Sequence, residues 1–240
     1  MISIVIPTLN ERKHIGNLLD SILTQKLNEP VEVIIADAHS SDGTRELVES
    51  YGDRIPVRVV EGGVPPVARN RGARASRGNT LLFVDADATF PDASFLRENF
   101  EFFRTRKLGI AAAQLIPRSG LTVDHIIFGI GNLLLRILQW VRPVGSLCMM
   151  VSRDVFERAN GYPEDRLLCE EHDFVEKAVR FSRYGLLPRR VIVSVRRFNK
   201  EGRLTALSKY TYASLYRVFV GPITKPIFRY EFTYADRENT

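Results

Sequence analysis

The chain has 240 residues, of which 45% are hydrophobic and 26% are charged. These values are typical of a single globular unit that is long enough to bury a sizeable core. Lys and Arg outnumber Asp and Glu by 34 to 28, which gives a net charge of +6 and a pI near 9.5. This mild excess suits anionic partners such as nucleotides, nucleic acid or anionic lipid, but it does not choose between them.

Cysteine usage and the first apolar segment predict the compartment. Cys148 and Cys169 lack metal-ligand spacing, so cysteine-ligated metal centres are excluded and free buried thiols in a reducing compartment are expected. The first apolar segment, 2–6, is short and typical of a strand rather than the hydrophobic region of a signal peptide. We therefore predict a cytoplasmic protein.

Four apolar segments early in the chain alternate with helical patterns. The predicted strands are 2–6, which Pro7 ends, 31–36, 57–60 and 81–87. Asn10 is predicted to cap the first helix, and a later helix, 67–76, is stopped by Gly78. The apolar face of the first helix comprises Ile15, Leu18, Leu19 and Ile22. Strands that alternate with helices over short loops predict a parallel sheet with right-handed crossovers.

The segment 81–87 is the centre of the functional prediction. Its apolar run resembles a strand buried on both faces, and it ends in two carboxylates, Asp85 and Asp87. Glu11 and Asp37 follow other predicted strands, so all these acids should meet at one edge of the sheet. Ligands bind at this edge in open α/β sheets, and paired carboxylates suit a divalent cation that carries substrate phosphates.

The chain beyond this edge is predicted to form a different half. We expect residues 90–92 to open a helix that runs to about 104, followed by a strand at 108–113 and a loop at Arg118. The apolar segment 124–141 is too short and too interrupted to cross a bilayer. It is either a core helix or a helix in the membrane interface with Trp140 at the headgroups.

The last third of the chain contains a second group of acids. A strand at 145–151 should lead into a short helix that Ser152 caps and Gly161 stops. The next helix should start near Glu170 and run to Arg183. A strand at 187–195, a basic loop at 196–203, an amphipathic helix at 204–220 and an aromatic, basic tail are then predicted. The tail suits either a membrane surface or a dimer interface.

Several motifs occur together in the order of one known family. The motifs are Pro-Thr-Leu-Asn-Glu at 7–11, Val-Ile-Ile-Ala-Asp at 33–37, Ser-Asp-Gly-Thr at 41–44, Ala-Arg-Asn-Arg-Gly-Ala at 68–73, Val-Asp-Ala-Asp at 84–87, and a further match from 151 to 171. With them the chain resembles the family 2 glycosyltransferases, which are nucleotide-sugar enzymes of the GT-A fold. The resemblance implies an α/β fold with a mostly parallel central sheet and helices on both faces, followed by a C-terminal helical and aromatic tail.

The resemblance also implies a donor site for a nucleoside-diphosphate sugar and a Mg²⁺ or Mn²⁺ ion. By this resemblance Asp87 holds the metal and Asp85 lies near the metal and the ribose. The other implied donor contacts are Pro7, Leu9, Glu11, Asp37, Arg69, Ala86, Arg118, Arg197 and Arg203. Arg197 and Arg203 match the spacing of two cations that close over the diphosphate in related synthases. From the residues alone, Asp37 could instead cap a loop, and Glu11 could be an acid favoured by a helix dipole.

The acids at 170–173 imply the acceptor chemistry. In family members that use hydroxyl acceptors, this stretch supplies a general base, which would be Glu171, flanked by Glu170 and Asp173. An acid at a helix start is also stable there without any catalytic role. The resemblance therefore implies inverting transfer of a sugar to a hydroxyl, on a sugar or a lipid-linked acceptor. The alternative acceptor is a polyprenyl phosphate, which needs no base.

Two other classes remain as alternatives. Asp85 and Asp87 followed by Thr89 match the strand end of haloacid-dehalogenase-like phosphatases, although that motif normally follows a first strand. A nucleic-acid-binding module would explain the charge, but no recognition motif is present, so no nucleic-acid partner is expected. We predict a glycosyltransferase domain at 1–203, with a donor half (1–115) and an acceptor half (116–203), and a tail at 204–240. A peripheral contact with the cytoplasmic face of a membrane, or a homodimer, is also predicted.

Overall fold

A computed structural model describes residues 1–228. Its strands are β1 (Ile2–Thr8), β2 (Val31–Asp37), β3 (Val57–Glu61), β4 (Thr80–Val84), β5 (Ile110–Ala112), β6 (Leu115–Arg118), β7 (Cys148–Ser152), β8 (Tyr184–Leu186) and β9 (Val191–Ser194). Its helices are α1 (Arg12–Leu23), α2 (Thr44–Glu49), α3 (Pro65–Ala75), α4 (Phe95–Thr105), α5 (Thr122–Leu138), α6 (Arg153–Arg158), α7 (Glu170–Ala178), α8 (Arg196–Glu201) and α9 (Arg203–Phe219).

Seven strands form one sheet in the order β3-β2-β1-β4-β7-β5-β8, while β6 and β9 pair as a second, two-stranded sheet. The first four strands are parallel, β7 is antiparallel to its neighbours β4 and β5, and β8 runs parallel to β5. The mostly parallel sheet confirms the predicted fold class. Because β5 and β8 come from opposite halves of the chain, the predicted division at 115 runs through this sheet, and the domain boundaries stay a prediction.

Helices cover both faces of the large sheet, because successive side chains of each strand point to opposite faces. Ile4 and Ile6 of β1 pack with α1 and α4, while Val5 packs with α3, α6 and α7 on the other face. Helix α3 lies very close to the sheet, since a Cβ atom added at Gly72 would collide with the Val5 side chain. The predicted apolar face of α1 is buried, as expected.

The first β–α junction differs from its prediction. Strand β1 continues through Pro7 to Thr8, because proline's fixed φ is compatible with an extended chain. Asn10 does not cap α1. Its φ is +56°, and its Oδ1 atom accepts a hydrogen bond from the backbone N–H of Ser41 at 2.9 Å. Asn10 therefore fastens the loop after β1 to the loop after β2, and α1 begins at Arg12.

Several later boundaries also shift. The predicted strand at 187–195 shortens to β9, while β8 lies just before the predicted range and belongs to the other sheet. The predicted basic loop at 196–203 is mostly helix α8, and α7 ends at Ala178 rather than Arg183. Ser152 caps α6 as predicted, with its side chain accepting from the Val155 backbone N–H.

Helix α5 is not a core helix, so that alternative is wrong. Its buried residues are Asp124 and Asn132, whereas the apolar side chains along its other face are exposed. Asn132 exchanges hydrogen bonds with the backbone of Leu115, at 2.8 and 2.9 Å. Helix α9 agrees with the predicted amphipathic helix and also exposes large apolar side chains. Among residues 1–228, no helix is both long and apolar enough to span a membrane; the tail at 229–240 lies outside the described residues.

Candidate functional site

The predicted donor residues gather at the carboxyl edge of the parallel strands. Strands β2, β1 and β4 lie side by side, so the residues after their ends are neighbours although they are distant in sequence. Glu11 directly precedes α1, Asp37 ends β2, and Asp85 and Asp87 follow β4. The edge therefore carries the carboxylates that the sequence predicted for it.

Arg196 joins two of these acids. Its Nη1 and Nη2 atoms donate to Oε2 and Oε1 of Glu11 at 2.8 and 2.6 Å, and its Nε lies 3.1 Å from Oδ2 of Asp87. Arg196 was not a predicted site residue, because the sequence pattern pointed to Arg197 and Arg203 instead. Its only signal was membership of the basic segment that begins at 196.

The two acids that Arg196 holds are in an unusual electrostatic environment. Burial raises the pKa of Asp87 to about 6; the nearby Asp85 and Glu11 charges act in the same direction, and Arg196 opposes them. Burial also raises the pKa of Glu11 against the effect of Arg196. Burial disfavours the charged form of each carboxylate, and a cation beside it offsets that cost. Both acids are therefore more stable as carboxylates when a cation lies next to them.

The site fits a divalent metal only with help from a substrate. No group of three or more His, Cys, Asp or Glu side chains in residues 1–228 is arranged to hold a metal ion. Mg²⁺ usually binds one or two carboxylates together with substrate phosphates. The Asp85 and Asp87 carboxylates, at the edge where a diphosphate would lie, fit that mode, whereas a fully protein-ligated metal is not supported.

Arg69 joins the donor acids to the acids of α7. Its side chain is only 4% exposed. Its Nη2 lies 2.9 Å from Oδ1 of Asp85 and 3.3 Å from Oε1 of Glu171, and its Nη1 donates to Oε1 of Glu170 at 2.6 Å. Three carboxylates thus surround the guanidinium that was predicted to contact phosphate, a contact that stays a prediction. The predicted base, Glu171, and one predicted metal ligand, Asp85, share the Nη2 atom of Arg69.

The three acids of α7 have different surroundings. Burial and the adjacent Glu171 raise the pKa of Glu170, while Arg69 opposes this rise. Glu171 is the more exposed of the two, with 15% of its side chain accessible. Asp173 instead accepts from Nε of Arg166 at 2.7 Å and from Nε of Arg217 at 2.6 Å. Asp173 therefore forms structural ion pairs, whereas the sequence had predicted a catalytic role for it.

Sequence reasoning missed three residues that shape this region. A Cβ atom at Gly145 would lie 2.5 Å from the Cβ of Glu171 and 2.7 Å from its carbonyl carbon. Asn70 donates to the Tyr162 carbonyl and accepts from its backbone N–H, both at 2.8 Å. The Tyr162 ring in turn lies against the Arg69 guanidinium, 5.4 Å from its central carbon. Asn70 and Tyr162 both lie in motifs of the family resemblance, at 68–73 and 151–171, and these motifs were the available signal for their contact.

The remaining donor predictions fall in three environments. Asp37 accepts from the side chains of Thr8 and Ser40 at 2.9 and 2.5 Å, which are the contacts expected of a loop cap. Ala86 packs its side chain into the core, so only its backbone is available to a ligand. Pro7 and Leu9 are half-buried and lie just before Glu11 in the sequence.

The three predicted cations are dispersed. Arg118 donates to the Thr89 hydroxyl, close in sequence to Asp87. Arg197 lies over the Tyr210 ring, 5.8 Å from its centre. Arg203 donates from Nε and Nη2 to Asp124 at 2.6 and 2.9 Å. Arg203 and Ser119 keep the pKa of this fully buried aspartate below its ordinary value. Arg203 is therefore part of a structural pair between α5 and α9.

The mostly parallel sheet with helices on both faces is a GT-A fold, the fold class that the sequence predicted. The fold is shared with TarS from S. aureus, solved in complex with UDP-GlcNAc, at a TM-score of 0.66 and 19% identity over 80% of this chain and 58% of that one. It is also shared with the mannosyltransferase PcManGT from Pyrobaculum calidifontis, solved with GDP-Man and Mn²⁺, at a TM-score of 0.64 and 20% identity over 88% and 64% of the two chains. The chain belongs to glycosyl transferase family 2, whose sequence profile matches residues 3–157.

Sequence relatives agree with this family. The O-antigen chain rhamnosyltransferase WbaN of Salmonella anatum is 24% identical over 185 residues, which cover 70% of this chain and 58% of WbaN. The uncharacterized glycosyltransferase YfnE of Bacillus subtilis (strain 168) is 36% identical over 88 residues, which cover 35% and 22% of the two chains. The chain thus spans less than two thirds of these relatives. The family favours the predicted enzyme class over the phosphatase and nucleic-acid alternatives.

Proposed function

We propose that this chain transfers a sugar, with inversion, from a nucleoside-diphosphate donor to a hydroxyl acceptor, with the help of Mg²⁺ or Mn²⁺. The observation that carries the proposal is the position of Arg69. Its Nη2 atom is shared by Asp85, a predicted metal ligand, and Glu171, the predicted base. The two groups that must act on opposite sides of the same sugar carbon are therefore held by one buried guanidinium.

On the donor side, Asp85 and Asp87 would hold the metal, which neutralises the departing diphosphate when bound. Glu11 would accept a hydrogen bond from the ribose. Its backbone is fixed at this edge of the sheet, because its N–H donates to the Thr44 hydroxyl at 2.8 Å. Asp37, at the end of the adjacent strand β2, would contact the base. The named relatives with UDP-GlcNAc and GDP-Man bind such donors on the same fold.

On the acceptor side, Glu171 would take the proton of the attacking hydroxyl. Of the two glutamates that Arg69 contacts, Glu171 is the more exposed, so an acceptor reaches it more easily. A lipid phosphate is already an anion and needs no base. The acids on α7 therefore favour a hydroxyl over the alternative polyprenyl phosphate acceptor.

A lipid-linked acceptor, presented at the anionic cytoplasmic face of a membrane, is supported by the surfaces of α5 and α9. Exposed apolar side chains include Trp140 after α5, at 84%, and Leu204 on α9, at 85%. The single acid of α5, Asp124, is buried and paired with Arg203, and α9 has no acid. An apolar surface with exposed Arg136 and without an exposed acid suits anionic lipid headgroups, which attract basic residues. The alternative occupant of this surface is a second copy of the chain.

The catalytic proposal is tested by measuring sugar transfer and hydrolysis with a set of nucleotide sugars, with and without Mn²⁺. Glu171→Gln should lower kcat about 10²–10⁴-fold while donor affinity is retained, because general-base catalysis contributes that much. The control is Glu157→Gln, which removes an exposed glutamate of α6. Near-normal turnover by Glu171→Gln would exclude the base and favour a polyprenyl phosphate acceptor. Undiminished Mn²⁺ dependence of UDP or GDP binding in Asp87→Ala would exclude the metal ligand.

A further inference from the structure

Arg196 occupies the donor site in a way that conflicts with the proposed donor contacts. Its two terminal nitrogens use both carboxylate oxygens of Glu11, and its Nε contacts Oδ2 of Asp87. Glu11 is the proposed ribose acceptor and Asp87 the proposed metal ligand. One side chain therefore engages both of the acids that a metal and a nucleotide would need.

The contact is strong enough to matter. The side chains of Glu11 and Asp87 are 10% and 13% exposed, and that of Arg196 is 24% exposed. The Glu11 contact is a bidentate, charge-assisted pair, which is among the stronger hydrogen-bond arrangements in proteins. In addition, Arg196 is the first residue of α8, and its own N–H donates to the Ser194 hydroxyl at 3.1 Å. Both the backbone and the guanidinium of Arg196 are therefore held in place.

A divalent cation and a guanidinium cannot both occupy this position at low energy. Both are attracted by the same carboxylate oxygens, and their positive charges repel one another in a partly buried site. Arg196 carries one positive charge where a metal would bring two, so it satisfies the acids less completely than the metal does. This difference makes an exchange of the two cations favourable once a diphosphate supplies further ligands.

We propose that Arg196 is the resident cation of the donor site before a donor binds, and that binding of the divalent metal with the nucleotide displaces it from Asp87 and Glu11. This inference rests on the proposed metal site. Helix α8 is the segment that responds. It is joined to α9 through Gly202, whose φ is +84°, and it packs through Phe198 against Phe128 of α5, at a ring distance of 5.9 Å. Metal and nucleotide then bind cooperatively, because each helps to release the same side chain.

The test measures Mn²⁺ binding in the presence of UDP or GDP, with the unbound Mn²⁺ quantified from its electron paramagnetic resonance signal. Arg196→Gln should bind Mn²⁺ about tenfold more tightly than the unmodified protein, a coupling typical of two linked sites. Lys200→Gln removes an equal charge from the same helix α8 and should leave the affinity unchanged. Arg196→Lys keeps the charge but loses the bidentate pair, and should fall between the two. Adding Asp87→Asn to Arg196→Gln should abolish the gain.

The outcomes separate this inference from the proposed function. The inference is overturned, while the metal site stands, if Arg196→Gln binds Mn²⁺ equally or more weakly and Asp87→Asn still removes binding. Equal gains in Mn²⁺ affinity in Arg196→Gln and Lys200→Gln would mean that any lost positive charge has this effect, and would also overturn the inference. If the unmodified protein and Arg196→Gln bind no Mn²⁺ even with UDP or GDP, both the inference and the metal site are wrong. Thermal melting of each variant identifies any that does not fold.

Discussion

Helices α1 and α5 have similar apolar patterns but opposite surroundings. Helix α1 buries Ile15, Leu18 and Leu19 against the large sheet. Helix α5 buries Asp124 and Asn132, and it exposes Ile130 and Leu133 at more than half of their surface. An amphipathic pattern thus establishes that a helix has an apolar face, but not what covers that face. In α5 the polar residues are the ones that fasten the helix to the fold.

The largest expected effect lies on the α1 side of this comparison. Leu18→Ala should lower the free energy of unfolding by about 2–5 kcal/mol, because it leaves a cavity in a fully buried position. Chemical denaturation followed by circular dichroism measures this loss. A change below about 1 kcal/mol would mean that the core beneath α1 adjusts freely, and would weaken the contrast with α5.

The next prediction concerns the point where the chain returns from α5 to the sheet. If Glu171 is the base proposed above, Gly145→Ala should lower kcat about 10²-fold, since a Cβ atom there would push the Glu171 backbone, and displacing a catalytic group by about 1 Å costs that much. The control is Gly131→Ala within α5, where an added Cβ meets nothing within 4 Å. Steady-state kinetics of both variants decide the matter, and equal activities would contradict the tight contact.

A pH-dependent effect is expected at the same junction. Burial, helped by Arg217 and Arg142, lowers the pKa of His172 to about 4, and its Nδ1 accepts from the Gly145 N–H at 3.0 Å. Below its ordinary pKa of about 6.5 the unfolded chain takes up a proton that the folded chain refuses, so the His172 contribution to the unfolding free energy should fall by about 1–2 kcal/mol between pH 7 and pH 5. Asp87 and Glu170, whose pKa values burial raises, change the stability in the opposite direction over this range, so the His172 contribution is measured as a difference between variants.

The matched variants for this pH effect are His172→Asn and His39→Asn. The first substitution keeps a side-chain acceptor for the Gly145 N–H but removes the titrating ring, so the unfolding free energy should lose the His172 contribution and fall by about 1–2 kcal/mol less between pH 7 and pH 5 than that of the unmodified protein. His39 is exposed in the loop after β2, and its replacement should leave the slope of unfolding free energy against pH as it is. Parallel slopes for the unmodified protein and His172→Asn would exclude the histidine as the cause.

The smallest expected effect on stability lies on the α5 side. The double change Ile130→Ser and Leu133→Ser should alter the unfolding free energy by less than about 0.5 kcal/mol, as for most surface positions. It should weaken co-sedimentation with anionic phosphatidylserine vesicles at low salt about tenfold or more, since these side chains would enter the lipid. Binding should also fall as salt screens the charges.

The control for vesicle binding is Leu18→Ala, which changes a buried residue of α1 and should bind vesicles normally. If the unmodified protein does not bind anionic vesicles but sediments as a dimer that the double change dissociates, the surface belongs to a second copy of the chain. A large loss of stability in the double variant would instead make α5 part of the core.

The sequence predicts the donor edge well because the positions of the strands and of the acids that follow them are local patterns. Each of the first four strands is a short apolar run followed by a turn, and parallel pairing brings their ends together without further information. Asp85, Asp87 and Glu11 were therefore foreseeable. The proposed roles of these residues stay predictions.

The other side of the site could not be foreseen in the same way. Arg196 and Arg203 differ little as letters in a basic segment, yet one meets Glu11 and the other meets Asp124. That choice depends on the α8 helix and on the orientation of α5, which are set by long-range packing. Gly145 gave no signal either, because its importance lies in the chain that passes beside it.

The close contact at Gly72 limits which residues this chain can carry at position 72. Helix α3 carries both Gly72 and Arg69, while Asp85 belongs to the sheet side of the same contact. Any side chain at 72 would lift α3 from the Val5 side chain and carry the guanidinium away from its carboxylates. The distance between α3 and the sheet is thus a dimension of the proposed site, set by a residue that has no side chain to contribute to it.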